Sequence, residues 1–378
     1  MSHPASGRKS WSAFPACVSL ILLPVFASAA AAALGSAPGT CLTGNVSITR
    51  DTVLDPACTH KASLRINASN VTLDCRGSRI DAEGRRVGIE IGGKRGVSDV
   101  AVRNCNVLNA KTGIYVGLTG SDAKKAQQYS REELYARTPH RIRIENGSVH
   151  DSSGVGIYID DYASEVTVEG TRISDSGSAG IYLEHSSRRN RILDSELSGN
   201  GYGRFPELRL GEARREAIAV DSSSHNRIEG NHIHDNAAGG IFLYKNCHEH
   251  ARSNPASVPR WQAAEHNLIR GNIIENEKVG VWLASRQSRD LGAWGCGDRP
   301  YLGNRYFPDY ARHNRVEANT FRRVDTGIIV EDDDNALVGN RFVESDKPIV
   351  IGAALREQAL GKKVERTRIQ DNEIKATP

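Results

Sequence analysis

The chain is poor in the residues that helical and lipid-facing cores use. It holds one Met, seven Phe and four Trp in 378 residues, and aromatics make up 6%. It also lacks a charge excess of either sign, since 49 Lys and Arg meet 45 Asp and Glu for a formal net charge of +4. That balance excludes an acidic disordered chain and a nucleic-acid binder driven by bulk charge, so any polyelectrolyte must meet a local patch. After the N-terminal segment no apolar run is long enough to span a bilayer. No segment carries helical periodicity, and the Leu-x-x-Leu-x-Leu spacing of leucine-rich repeats is missing. Glycine is plentiful, at 36 residues against an average usage of about 7%, and predicts many tight corners.

Arg8 and Lys9 precede an apolar run from Ala16 to Ala33, and Ala27-Ser28-Ala29 supplies small residues for cleavage. Residues 1–29 therefore read as a secretory signal, which predicts a periplasmic or secreted bacterial protein with no membrane attachment after processing. The run is interrupted by Pro24, which argues against a retained anchor. Setting aside Cys17 leaves six cysteines in a chain bound for an oxidising compartment. The repeat register described next favours Cys41–Cys58, Cys75–Cys105 and Cys247–Cys296 among the possible pairings.

A Gly-apolar-x-apolar signature recurs at Gly88, Gly113, Gly156, Gly180, Ala217, Gly240, Gly280 and Gly327. A second short segment recurs between these points as Asn190-Arg-Ile, Asn226-Arg-Ile, Asn267-Leu-Ile, Asn314-Arg-Val and Asn335-Ala-Leu. Self-similarity at this period, built from two-residue alternation with Gly or Asn at corners, predicts a solenoid of short strands. The fold expected is all-β, a single-domain right-handed parallel β-helix of about 10 coils. Asn190, Asn226, Asn267, Asn314 and Asn335 form one expected corner column, and Asn231, Asn272, Asn319 and Asn340 another. Stacked amides hydrogen-bond along such columns. Residues 30–70 read as an N-terminal linker and cap, and 71–378 as the β-helix. Insertions at 117–140, 199–216, 247–266 and 286–313 break the period, and long excursions from a rigid scaffold build binding walls.

Strand alternation sends the third and fifth residues of each Gly-Ile segment outward. The third column reads Tyr115, Tyr158, Tyr182, Ala219, Phe242, Trp282 and Ile329. It is either a platform on which sugar rings stack or a satellite core beneath the insertions. The fifth column reads Asp160, Glu184, Asp221, Tyr244, Ala284 and Glu331, and the adjoining corner adds Asp161, His185, Lys245, Arg286 and Asp332. Three carboxylates stacked at strand spacing repel unless a cation, raised pKa values or chemistry compensates.

The repeats, the opening Val71-Thr-Leu-Asp-Cys-Arg-Gly and the Asn-Arg-Ile-x-Gly-Asn pattern resemble right-handed parallel β-helix proteins of the carbohydrate-binding and sugar-hydrolase type. That group includes mannuronan epimerases, uronate lyases and a copper-associated periplasmic protein. The resemblance covers most of residues 60–375 and implies an enzyme acting on an acidic polysaccharide such as alginate, as a lyase or C5-epimerase. By analogy with calcium-dependent lyases of this fold it implies Glu184 and Asp221 as Ca2+ or carboxylate-neutralising groups and Lys245 as base. It further implies Arg286 as the substrate-carboxylate clamp, with Tyr244 and His185 as proton donors. Substrate would lie on Tyr115, Tyr158, Tyr182, Phe242 and Trp282 beside Asp160. The Asp-Pro-His-Asp loop of the epimerases is replaced by Asp160-Asp161-Tyr162-Ala163, and pectate-lyase and polygalacturonase signatures are absent.

Two other readings compete. Asp160 and Asp221 lie two coils apart, near 9.6 Å, at the edge of the range of about 6.5–9.5 Å for an inverting glycoside hydrolase. Cys247-His248-Glu249-His250 holds metal-ligand residue types, which fits a non-catalytic polysaccharide-binding or copper-associated periplasmic module. A monomer that binds no nucleic acid is expected in either case.

Overall fold

Parallel strands stack coil on coil through the computed structural model, which describes residues 34–35, 40–93, 96–118, 128–203, 214–253 and 260–375. The expected signal segment and Cys17 lie outside the described residues, as do parts of the first three insertions. Residues from Ala33 onward form one unit. The Gly-Ile segments pair in the register expected from sequence, with Ile114, Ile157, Ile181, Ile218, Ile241, Val281 and Ile328 as successive partners. The Asn-Arg-Ile segments form a second parallel ladder through Ile192, Ile228, Ile269, Val316 and Leu337. Three-residue strands such as Arg172–Ser174, Glu196–Ser198 and His232–His234 make the remaining side of each coil. The chain is a right-handed parallel β-helix.

The core follows from the alternation. Ile157 and Ile159 are fully buried while Tyr158 between them points outward, and the same holds for Ile181, Tyr182 and Leu183. Each such aliphatic side chain contributes about 1.5–3 kcal/mol by leaving water. The glycine that opens each segment is required by close approach between coils. A Cβ on Gly156 would sit 2.5 Å from the carbonyl oxygen of Gly180, nearer than any side chain tolerates.

Both asparagine columns form as expected. The side-chain oxygen of each Asn accepts the backbone N–H of the Asn one coil earlier, from Asn190 to Asn335 and from Asn231 to Asn340. A third column, Asn200, Asn236 and Glu277, runs beside them and ends on a carboxyl group. The three expected disulfides are present, with Cα separations of 5.3, 4.9 and 5.2 Å.

Three features depart from the sequence reading. The ladder begins inside the segment expected to be a cap, because Thr43–Ile48 pairs with Thr59–Ile66, which pairs with Val87–Gly93. Among the described residues two short helices, Arg131–Arg137 and Ala354–Leu360, interrupt the strands although no helical periodicity announced them. The first has a local signal, a capping box in which Ser130 and Glu133 satisfy each other's backbone N–H. The outward face beside the insertions is also covered, so Asp221 and Tyr244 are 0% exposed.

Candidate active site

The acidic side chains gather because successive strands end at one level. Asp160 and Asp161 follow Ile157–Ile159, Glu184 and His185 follow Ile181–Leu183, and Asp221 closes Glu216–Asp221. The backbone then turns through left-handed conformations at Asp161 (φ 38°), His185 (φ 45°) and Ser222 (φ 53°). These residues make the corner without glycine, an arrangement that packing must hold in place.

Asp160, Glu184 and Asp221 are each held by a phenol from the coil before. Tyr115 donates to Asp160 Oδ2 at 3.2 Å, Tyr158 to Glu184 Oε2, and Tyr182 to Asp221 Oδ2 at 3.1 Å. The rings also pack on one another, Tyr115 edge-on to Tyr158 and Tyr158 stacked on Tyr182 with centroids 5.3 Å apart. Phe242 is buried, and Trp282 packs edge-on against it. The aromatic stripe therefore works largely as a satellite core, with Tyr115 and Tyr158 meeting open space at its N-terminal end.

The third insertion supplies a group that sequence reasoning missed. Arg260, with a side chain 1% exposed, pairs with Glu184, with Asp221 at 3.4 Å and with Glu249 at 2.8 Å. Asn246 adds a side-chain hydrogen bond of 2.7 Å to Asp221 Oδ2. The mutual repulsion of the stacked acids is thus relieved by a buried guanidinium. Only its place in an insertion hinted at such a role.

On the other side of Glu184 lies the imidazole of His185. Its Nδ1 is 2.6 Å from Asp160 Oδ1, 3.7 Å from Glu184 Oε2 and 3.9 Å from Asp161 Oδ1. Burial pushes the Asp161 carboxyl up to about 8, and the charge of Asp160 beside it acts in the same direction. Burial also penalises charge on Asp160, but the positive His185 outweighs it and holds Asp160 below its ordinary range. For His185 itself burial opposes the charge, while Glu184 and Asp160 overrule it and hold the imidazole at about 10. At neutral pH the cluster thus contains a protonated Asp161, an ionised Asp160 and an imidazolium between them. Adjacent carboxyls of opposite protonation are the basis of paired acid and base roles.

The other expected residues lie apart from this cluster. Tyr244 is completely buried, accepting from Arg215 and donating to Glu216 at 3.0 Å each. Arg286 is buried as well, with its guanidinium 3.6 Å over the Tyr244 ring and Nε 3.2 Å from Asn246. Tyr244 and Arg286 thus stand outside the cluster of Asp160, Asp161, Glu184 and His185, engaged with Arg215, Glu216 and Asn246. Lys245 keeps part of its side chain in solvent, with Nζ 3.8 Å from Asp298 and 5.9 Å from the Tyr310 ring centre.

The donor set does not suit calcium. Ca2+ takes six to eight oxygen ligands, whereas the oxygens of Glu184 are taken by Arg260 and Tyr158, and those of Asp221 by Arg260, Tyr182, Asn246 and Ser222. Asp160, Glu184 and His185 bring ligand atoms within 4.8 Å of one another, and an ion there would have to displace the proton of His185 and the hydrogen bonds that hold the two carboxylates.

Over residues 87–293 the sequence matches the family model described as the right handed beta helix region. The chain belongs to that family. Among solved structures it is similar to the catalytic domain of a GH87 α-1,3-glucanase in complex with nigerose, with a TM-score of 0.52 and 10% identity. That match covers 88% of this chain and 62% of the other. An alginate lyase from Paenibacillus sp. str. FPU-7 matches with a TM-score of 0.42 and 11% identity, over 88% of this chain and 99% of that one. The A-module of an Azotobacter vinelandii mannuronan C-5 epimerase matches with a TM-score of 0.46 and 14% identity, over 89% and 92%. At such identities the likeness speaks for the fold alone. No curated protein matches the sequence.

Proposed function

We propose that the protein is an exported polysaccharide-active enzyme whose reacting centre is Asp160, Asp161, Glu184 and His185. The observation that carries this reading is a pair of adjacent carboxyls driven toward opposite protonation states, Asp160 kept ionised by the imidazole of His185 at 2.6 Å and Asp161 kept protonated by burial and by the charge of Asp160. Such a pair holds a proton ready for a leaving oxygen and an ionised group ready to accept one, and general acid–base catalysis contributes about 10²–10⁴-fold. The similar solved structures include an alginate lyase, a mannuronan epimerase and a glucanase, which supports carbohydrate as the substrate class by analogy.

The reaction we favour is removal of the C5 proton of a uronic-acid residue, leading to β-elimination or C5-epimerisation. In this scheme Asp160 or Glu184 accepts the proton. Asp161 or His185 donates, to the glycosidic oxygen in elimination or to the opposite ring face in epimerisation. Asp161 replaces Tyr244 as donor, since its carboxyl lies 3.9 Å from the imidazole of His185 while the Tyr244 phenol is engaged by Arg215 and Glu216. A second reading, hydrolysis, is favoured by one distance. A ligand oxygen of Asp160 and one of Glu184 lie within 4.8 Å of each other, nearer the separation of about 5–5.5 Å of retaining glycosidases than the inverting gap.

Purified mature protein incubated with alginate, pectate, glucuronan and glycosaminoglycans separates these outcomes. Ultraviolet-absorbing unsaturated ends establish elimination, new reducing ends without absorbance establish hydrolysis, and altered ring configuration by NMR without cleavage establishes epimerisation. Silence in all three readouts on every polymer overturns the proposal.

A further inference from the structure

A groove of about 530 Å³ runs from the first coils to the edge of the acidic cluster, lined by Arg65, Arg85, Arg86, Lys111, Glu90 and Tyr115, with Tyr158 at its inner end. Its floor is one column of the repeat. Arg65, Glu90, Tyr115 and Tyr158 are successive partners in register, three coil steps or about 14 Å in all. Two of the four cations have carboxylate partners, Arg65 with Glu90 and Arg85 with Glu83 at 3.0 and 3.1 Å. Arg86 and Lys111 are exposed at the rim. The groove therefore carries an excess of positive charge next to a centre dominated by acids. Its two inner phenols donate to Asp160 and Glu184, so a chain lying on them reaches the proposed reacting centre directly.

We propose that this groove is a subsite for anionic sugar residues, in which Arg86 and Lys111 bind the acidic groups of units preceding the reacting one and Tyr115 supports a ring. Arginine reads carboxylate or sulfate through a two-pronged fork, and lysine adds a point charge. A neutral glucan offers these groups hydroxyl oxygens but no charge, and charge-assisted hydrogen bonds are about twice as strong as neutral ones. The inference rests on the reading of the acidic cluster as reacting centre only for where the chain leads, and binding is measured apart from turnover.

The test uses the Asp161→Asn chain, in which turnover is expected to be slower by about a hundredfold or more, and titrates it by calorimetry with hexamannuronate, a sulfated chondroitin hexasaccharide and maltohexaose. The expected result is binding of an acidic probe that salt weakens, no binding of maltohexaose, and about tenfold or greater loss when Arg86→Ala and Lys111→Ala are added. Circular dichroism verifies the fold. Binding of the sulfated probe alone keeps the subsite and excludes mannuronate as its ligand, and a repeat with the unsulfated chondroitin hexasaccharide tells sulfate, if binding is lost, from glucuronate, if it is kept. Unchanged affinity in the triple variant, equal affinity for maltohexaose, or no binding of either acidic probe overturns the proposal. Binding that persists in a protein with no activity on any polymer upholds the groove and sinks the reaction.

Discussion

Nδ1 of His185 lies 2.6 Å from Oδ1 of Asp160, a residue on the preceding coil. The contact joins two corners of the solenoid across the strand stack, and it favours the ionised form of Asp160. The imidazolium keeps Asp160 ionised, and ionised Asp160 helps keep the proton on Asp161.

Arg260 is expected to be the most costly single side chain of the third insertion. Arg260→Met leaves Glu184, Asp221 and Glu249 without their shared cation, and breaking a buried pair costs about 3–5 kcal/mol. Chemical denaturation reads this as a lower midpoint. The loss shrinks as the pH falls and the stranded carboxyls take up protons. An unchanged midpoint at neutral pH contradicts the assignment.

Tyr244→Phe separates structure from chemistry. The variant leaves Glu216 and Arg215 short of a partner, for a cost of about 1–3 kcal/mol, but turnover of the folded enzyme stays at the wild-type level. A loss of kcat of a hundredfold or more, without unfolding, would restore Tyr244 as a proton donor.

Glu277 ends the third amide column, and burial raises its carboxyl to about 8. An acid whose folded pKa lies above its unfolded value holds its proton only in the folded state between the two, so stability falls as the pH rises from about 4.5 to 8. Glu277→Gln keeps the shape and the ladder and removes that slope. Denaturant midpoints are expected to show it more stable than wild type at pH 8, by on the order of 2 kcal/mol, with the advantage gone near pH 4.

Chelator is a fourth test. With the oxygens of Glu184 and Asp221 engaged by protein donors, activity is expected to persist after prolonged treatment with EDTA and subsequent gel filtration. Activity lost on chelation and restored by added calcium would show that Arg260 gives way to a metal.

The fold was legible because the repeat writes the same physics many times. Gly before each Ile marks where two backbones approach, as Gly156 shows, and Asn at each corner marks a left-handed turn or an amide ladder, as at Asn226 and Asn267. The cysteine pairs followed from the same register. Where the site was concerned, the column holding Asp160, Glu184, Asp221 and Tyr244 was visible, but its surroundings were not. Repeats place what lies on the strands, whereas Arg260 reaches the column from a loop of no fixed period. That burial also turned Tyr244 and Arg286 from exposed candidates into an enclosed pair. The partnering of Tyr158 with Glu184 was hidden for a related reason, since alternation gives the face of a side chain but not the coil toward which it leans.

The pH dependence of kcat/KM in wild type and in Asp161→Asn, on whichever polymer of the panel reacts, tests the central claim most directly. The account predicts a wild-type rate that falls as the pH rises through about 8, where Asp161 loses the proton it donates. It also predicts a variant that is folded, slower by about a hundredfold or more, and without that descending limb. A variant as fast as wild type, or one that keeps the same limb, would contradict Asp161 as the acid of the site.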